Sequence, residues 1–273
     1  MRYRAADLLL RGWRLAVTGL VGFWIVFLLA PIVVAVAVSF TATEFPVFPP
    51  QGLSLRWYAN ALSTSWFRES LATSALVALA ATALSVLLGT SGAYVLSRRG
   101  VPGQRLLEFV LMSPLIIPSV AIGFALFHLV VQFGLQKLSF INLVVAHAVV
   151  TLPFTLRPVW ASLMGANRAL EEAAQSLGAT PWEAFRHVIL PAILPGAVAG
   201  AIIAFTFSFN DVTVAIFLVG PTTKTLPVEL MSQIEYTPDP TPAAITAIIM
   251  AITFVFFLVV ERTVGLDVFA RSE

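Results

Sequence analysis

The sequence predicts an all-α polytopic membrane protein with six transmembrane helices, and three observations predict it. The 273 residues are 59% apolar and only 11% charged, with a mean hydropathy of +0.92. Charge at less than half the usual ~25% leaves too little polar surface to cover a water-soluble globule. Six stretches run free of charge for about the 20 residues that a helix needs to cross hydrocarbon. Finally, VGFWIVFLLAPIVVAVAV (Val21–Val38) does not alternate, as the ~10-residue strands of a membrane barrel do. Backbone groups in lipid must be satisfied within the segment, so these runs read as helices.

The expected spans lie at about 15–38, 70–97, 109–132, 139–160, 192–219 and 242–260. A short segment, 1–14, precedes the first and carries Arg2, Arg4, Arg11 and Arg14. With Ala35-Val36-Ala37 it resembles a secretory signal and its cleavage site, but the apolar run far exceeds the 7–15 residues of such signals, so an uncleaved anchor is expected. The loop 39–70, rich in Pro46, Pro49, Pro50, Trp57 and Tyr58, suits an ordered surface segment with interfacial aromatics. The third span carries Pro114 and Pro118. Proline frees backbone carbonyls and bends the rod; this is either an irregular element lining a pathway or a tolerated kink. The fifth span meets Asp211 and then runs apolar to Gly220.

Orientation follows the basic residues. With the N-terminus inside, the inner segments hold those four arginines, Arg98, Arg99, Arg105, Arg157, Arg168, Arg186, Arg262 and Arg271. The outer ones hold only Arg56, Arg68, Lys137 and Lys224. Twelve against four places both termini in the cytoplasm. The chain has no cysteine, which excludes disulfides and thiolate metal sites. His128, His147 and His187 lack ligand spacing, and no run of basic residues interleaved with aromatics points to nucleic acid. No metal site and no nucleic-acid partner are expected.

The segment EEAAQSLGATPWEAFRHVILPAILPG (Glu171–Gly196) interrupts this apolar chain on the predicted cytoplasmic side. It reads as two short helices and a turn. Gly178 suits the left-handed C′ position, and Thr180, Pro181 and Glu183 suit N-cap, N1 and N3 of a capping box. The second helix is expected to run to about Leu190 and to end or kink at Pro191. Leu177, Trp182 and Phe185 give the elbow an apolar side. By local physics alone it is either an amphipathic loop on the membrane surface or a compact elbow that enters another protein's groove.

Glu172-Ala173-Ala174, three residues, Gly178, nine residues, then Val188, Ile189, Leu190 and Pro191 resemble the EAA loop of ABC importer permeases. Val188 departs from the usual isoleucine by one methylene. The resemblance implies the type I ABC importer permease fold over about 15–273, with 165–191 as the cytoplasmic coupling loop, in the bacterial inner membrane. It also implies a second permease, two ATPase subunits and a periplasmic solute-binding protein as partners. Glu172, Ala173, Ala174, Gly178, Leu190 and Pro191 would be the ATPase-coupling residues. No G-x-x-x-x-G-K-[ST] phosphate loop occurs, so ATP and magnesium are expected on the partner ATPase and no cofactor or catalytic residue on this chain.

For the route itself the candidates are Asp211, Asn210, Ser208 and Phe207. A carboxylate at the centre of a span costs about 2.5–3.5 kcal/mol and so faces a cavity or a partner. Ser208 and Phe207 precede Asp211 by three and four residues, which places them on its helical face. Asp211 therefore either faces the route or is structural, paired with a cation or lying at the interface, and Asn210 either joins it or bonds across helices. The stretch from LPAILPGAVAGAIIAF (Leu190–Phe205) to LPVEL, followed by DPTPAAITAIIM, resembles the second permease of spermidine/putrescine importers, and the similarity covers the chain from about the second span to the end. Asn210-Asp211 stands where that group usually has an acidic pair. One negative charge of that pair is thus missing, which counts against a polyamine; the resemblance as a whole implies a polyamine or similar small amino compound as substrate, with opine and aminophosphonate importers as alternatives. A stand-alone secondary transporter would want several intramembrane charges and an inverted repeat; a membrane hydrolase would want a nucleophile–base set. Neither is found.

Overall fold

The computed structural model describes residues 2–97 and 101–264. Arg98, Arg99 and Arg271, used above for orientation, lie outside them, as do the side chains of Arg2, Arg4, Arg11 and Arg168. The helices are α1 (Arg2–Ser39), α2 (Arg56–Ser63), α3 (Ser65–Ser97), α4 (Gln104–Met112), α5 (Ser119–Gln132), α6 (Ser139–Gly165), α7 (Arg168–Ser176), α8 (Pro181–Ala184), α9 (Leu190–Asn210), α10 (Ala215–Leu218), α11 (Leu226–Tyr236) and α12 (Thr241–Val264). Five helices are long and apolar enough to cross a membrane by themselves, and α4 with α5 forms a sixth, bent candidate.

The chain divides into two units, 1–64 with 232–273, and 65–231. In the first, α1 and α2 pack on α12. Asn60 Nδ2 donates to Thr241 Oγ1 at 2.9 Å, and Trp57 Nε1 donates to Thr41 O at 2.9 Å, which orders the loop after α1. Only 6% of the apolar window of α1 is buried. Its Trp24 and Phe27 are exposed, the surface expected of a helix whose solvent is lipid.

The second unit is built on α3, α6 and α9 packed together. Lipid tails are as apolar as leucine, so close backbone approach and interhelical hydrogen bonds must hold such helices together. Both occur. A side chain at Gly196 would meet Pro158 O on α6 at 2.5 Å, and one at Gly200 would meet Thr155 Cα at 2.9 Å. Thr155, fully buried, donates to Ser85 O on α3 at 2.8 Å. Two apolar clusters flank this seam: one around Val77, Leu143, Val150 and Val214, the other around Leu96, Leu156, Val159 and Ile193.

Two expected spans differ from the structure, each at a backbone that cannot stay helical. The third, 109–132, is not one rod: the segments Gln104–Leu115 and Ser119–Gln132 meet at 102°. Ser113 O accepts from both Ile116 N and Ile117 N, at 2.9 and 3.0 Å. Pro118 then opens α5 as its N-cap with the extended ψ of 130 usual at that position; it lacks the amide to continue the preceding turn and disfavours helix at Ile117. The fifth, 192–219, ends at Asn210; Asp211 is extended, and a single short turn, α10, follows. At its other end this span starts earlier than expected. Pro191 does not end or kink the preceding helix to a stop: Leu190 N bonds Phe185 O, a π-turn over Phe185–Ile189, and 181–210 is continuous. Five-residue spacing accommodates the missing amide without a break.

Gly200→Ala presses a methyl against the α6 backbone and is expected to cost about 1–3 kcal/mol and lower the unfolding temperature in detergent. Gly12→Ala, inside α1 with nothing within 4 Å, does not lower it and gains up to about 0.5–1 kcal/mol of helix propensity. Thermal unfolding of both variants checks this.

Candidate functional site

The segment read as an elbow is one. Asn167 Oδ1 caps α7 by accepting from Ala169 N at 3.0 Å. The helix closes at Gly178, whose φ is +94°, a left-handed conformation free of cost only to glycine. Gly178 N donates to Gln175 O at 3.0 Å and Ala179 N to Ala174 O at 3.1 Å, the paired bonds of a Schellman closure. Thr180 and Glu183 then form the capping box: Glu183 N donates to Thr180 Oγ1 at 3.3 Å, and Thr180 N to Glu183 Oε2 at 2.8 Å. The turn is thus closed on both sides.

The elbow's apolar residues divide. Leu177 is 90% and Trp182 67% exposed, while Phe185 turns inward. Its ring stacks on Trp182 with centroids at 5.6 Å and meets Tyr94 of α3 edge-on at 6.2 Å. Tyr94 Oη also donates to Glu171 Oε1 at 3.3 Å. Glu172, Ala173 and Gly178 are exposed and Ala174 half-buried. Leu190 and Pro191, both exposed, lie just beyond the π-turn, at the start of α9.

At the other end of α9 the four pathway candidates also separate. Phe207 lines a cavity of about 340 Å³ with Phe154, Val150 and the broken stretch Pro114–Ser119, its ring 5.1 Å from that of Phe154. Asn210 is exposed and donates to Thr206 O at 2.8 Å. Ser208 and Asp211 are buried. Ser208 Oγ lies 2.7 Å from His147 Nδ1, and Asp211 Oδ2 lies 3.7 Å from His147 Nε2. The same Oδ2 accepts from Val214 N at 2.9 Å and Ala215 N at 3.1 Å. Asp211 therefore satisfies the amides that open the next turn, α10, after α9 has stopped, and does not share an exposed face with Phe207.

Sequence reasoning missed His147, read above only as a histidine without ligand spacing. It is fully buried, and its Nδ1 is bonded to Ser208 of α9, 61 positions away. Its signal was a polar residue inside an apolar span, with no local spacing to name a partner. Among the described residues, no group of three or more His, Asp or Glu is placed to hold a metal.

Residues 81–265 match the model of the binding-protein-dependent transport system inner membrane component. The chain belongs to that family. As such it is a multi-pass inner-membrane permease of an ABC importer. It is 27% identical over 232 residues to the spermidine/putrescine transport system permease protein PotC of Escherichia coli K12, covering 85% of this chain and 87% of PotC. It is 31% identical over 244 residues to the putrescine transport system permease protein PotI of the same strain, covering 87% and 85%. The putative 2-aminoethylphosphonate transport system permease protein PhnV of Salmonella paratyphi A is 30% identical over 240 residues, covering 88% and 90%. A crystal structure of a bacterial ABC transporter involved in the import of alginate shares the fold. Its TM-score is 0.71 at 17% identity, over 93% of this chain and 96% of that one.

In this permease Asp211→Ala strands two buried amides and is expected to cost about 1–3 kcal/mol. Asp211→Asn keeps an acceptor oxygen and costs less than half as much. Unfolding temperatures in detergent compare them; equal losses would assign the stability to the charge facing His147.

Proposed function

We propose that the chain pairs with a second permease to line the route of a small organic amine, moved by an ATPase dimer that grips the elbow. The observation that carries this reading is the elbow itself: a doubly capped turn, rigid in backbone, that leaves Leu177 and Trp182 bare beside Glu172, Ala173 and Gly178. Such a knob suits an apolar groove, where small residues allow close approach and Glu172 meets a donor. Both termini and the elbow face the cytoplasm, in keeping with the distribution of basic residues. A periplasmic binding protein delivers the solute on the opposite side. ATP and magnesium belong to the ATPase subunits.

Force has a path. The elbow's second helix, the π-turn and α9 make one continuous helix of 30 residues, a rod of about 45 Å. At its far end Phe207 borders the cavity beside the break in the third span. Displacing the elbow when the ATPases close therefore moves α9 together with the α6 packed against it, and carries Phe207 and Phe154 as one body past the Pro114–Pro118 break. Leu190 and Pro191, at the π-turn, act in this rod rather than at the ATPase surface. Asp211 serves the route at one remove, by holding with His147 and Ser208 the turn on which Phe207 and Asn210 sit.

The substrate class rests on chemistry common to the relatives' names. Spermidine, putrescine and 2-aminoethylphosphonate all carry a primary ammonium. The facing Phe154 and Phe207 rings offer a cation–π surface without an intramembrane charge to trap the solute.

Gly178→Asp forces a Cβ and a charge onto the left-handed turn. In proteoliposomes holding the complete importer, the variant is expected to insert but to lose substrate-stimulated ATP hydrolysis and amine uptake by more than about tenfold, a loss of about 1.4 kcal/mol of coupling. Normal coupling in that variant would remove the elbow from the mechanism.

A further inference from the structure

A second cavity, of about 200 Å³, opens at the end of α3 opposite the elbow, lined by Trp66, Glu69, Ser70, Thr73, Lys224 and Glu229 among others. The first four recur at positions one helical turn apart, so α3 presents an aromatic ring, a carboxylate and two hydroxyls along one stripe. The opposite wall is the turn before α11. Gly220 and Thr223 exchange backbone bonds at 3.0 and 3.3 Å, and Leu226 N donates to Ser74 Oγ at 2.7 Å, which ties that turn to α3. The walls are therefore fixed to each other.

Glu229 is only 6% exposed, and its Oε2 lies 2.8 Å from Nζ of Lys224, whose side chain is 44% exposed. A buried carboxylate needs a cation, and here the cation comes on a tether from a surface turn. The pocket thus already seats a primary ammonium. With Lys224 withdrawn, its charges are the carboxylates Glu69 and Glu229, beside Trp66 and two hydroxyls, which is the chemistry of an alkylammonium site.

We propose that this cavity is an entry site for primary ammonium groups, in which an incoming amine exchanges with Lys224 on Glu229. Lys224 is a built-in competitor: it keeps Glu229 neutralised when no amine is present and limits how tightly one is held, so the amine is passed on. The site deepens the amine reading above and rests on it for the ligand's identity.

The chain has only two lysines, Lys137 and Lys224, and Lys137 is exposed, so it serves as an internal reference. The complete importer in nanodiscs is acylated with limiting N-hydroxysuccinimidyl acetate, and the Lys224:Lys137 labelling ratio is read by peptide mass spectrometry. Putrescine is expected to raise the ratio saturably, by roughly fivefold, as a partly exposed ion pair is released. Butane-1,4-diol, or sodium chloride at matched ionic strength, leaves it unchanged. Glu69→Gln shifts the putrescine half-saturation upward without altering the starting ratio, and Glu229→Gln begins high and no longer responds. A ratio indifferent to putrescine, or raised equally by salt, overturns the site. Amine uptake with an indifferent ratio would leave the transport reading standing without this site. A putrescine-specific ratio in an importer that moves no amine would do the reverse.

Discussion

Hydrocarbon offers no partner to a backbone amide or carbonyl, and each one left unpaired costs several kcal/mol. A membrane chain may stop a helix only where the protein itself supplies the missing bonds. This permease stops helices twice at mid-span, and each break is provided for. At Pro114–Pro118 the carbonyl of Ser113 takes two amides, and proline removes a donor. At Asp211 the carboxylate takes the amides of Val214 and Ala215, and His147 with Ser208 occupies the space behind it. Both breaks lie in one unit, and Phe207, one turn before the second, borders the cavity formed at the first.

The same constraint packs the core helices tightly. Gly196 and Gly200 let α9 lie against α6 with no room for a methyl group, and Thr155 bonds α6 to α3. The seam therefore resists independent motion of its helices. The elbow is joined to this core by the continuous helix 181–210, and also by the Tyr94–Glu171 hydrogen bond and the Tyr94–Phe185 ring contact. The π-turn at Phe185–Ile189 lies where the elbow meets the rod. Insertions of this kind are frequent at functional sites because one non-standard bond changes the direction of a helix at little cost.

Polar residues in such a chain repay individual accounting. Thr155 and Ser208 hold helices together. Asp211 closes a break. Lys224 and Glu229 neutralise each other at a cavity remote from the elbow. None of these roles follows from residue type: a carboxylate in a span reads equally well as a ligand for a solute or as the cap of a broken helix. What decides is whether its oxygens are already engaged.

Local order determined much of this protein in advance. Charge-free runs of helical length pointed to helices apolar enough to cross a membrane, five of them single and one bent, and the spacing from Glu172 through Gly178 to Pro191 marked the elbow. The capping box at Thr180 and Glu183 and the left-handed Gly178 involve residues within five positions of one another, so chain order alone specifies them. Tertiary structure decided the rest. Whether Pro114 and Pro118 kink a span or break it by 102° depends on what packs beside them. That Pro191 continues a helix depends on a π-turn that no propensity signals. The pairing of His147 with Ser208 and Asp211, and of Trp66 and Glu69 with Lys224 and Glu229, joins residues far apart in sequence. Periodicity tells a helix which face is apolar, but only packing tells a polar side chain which partner it meets.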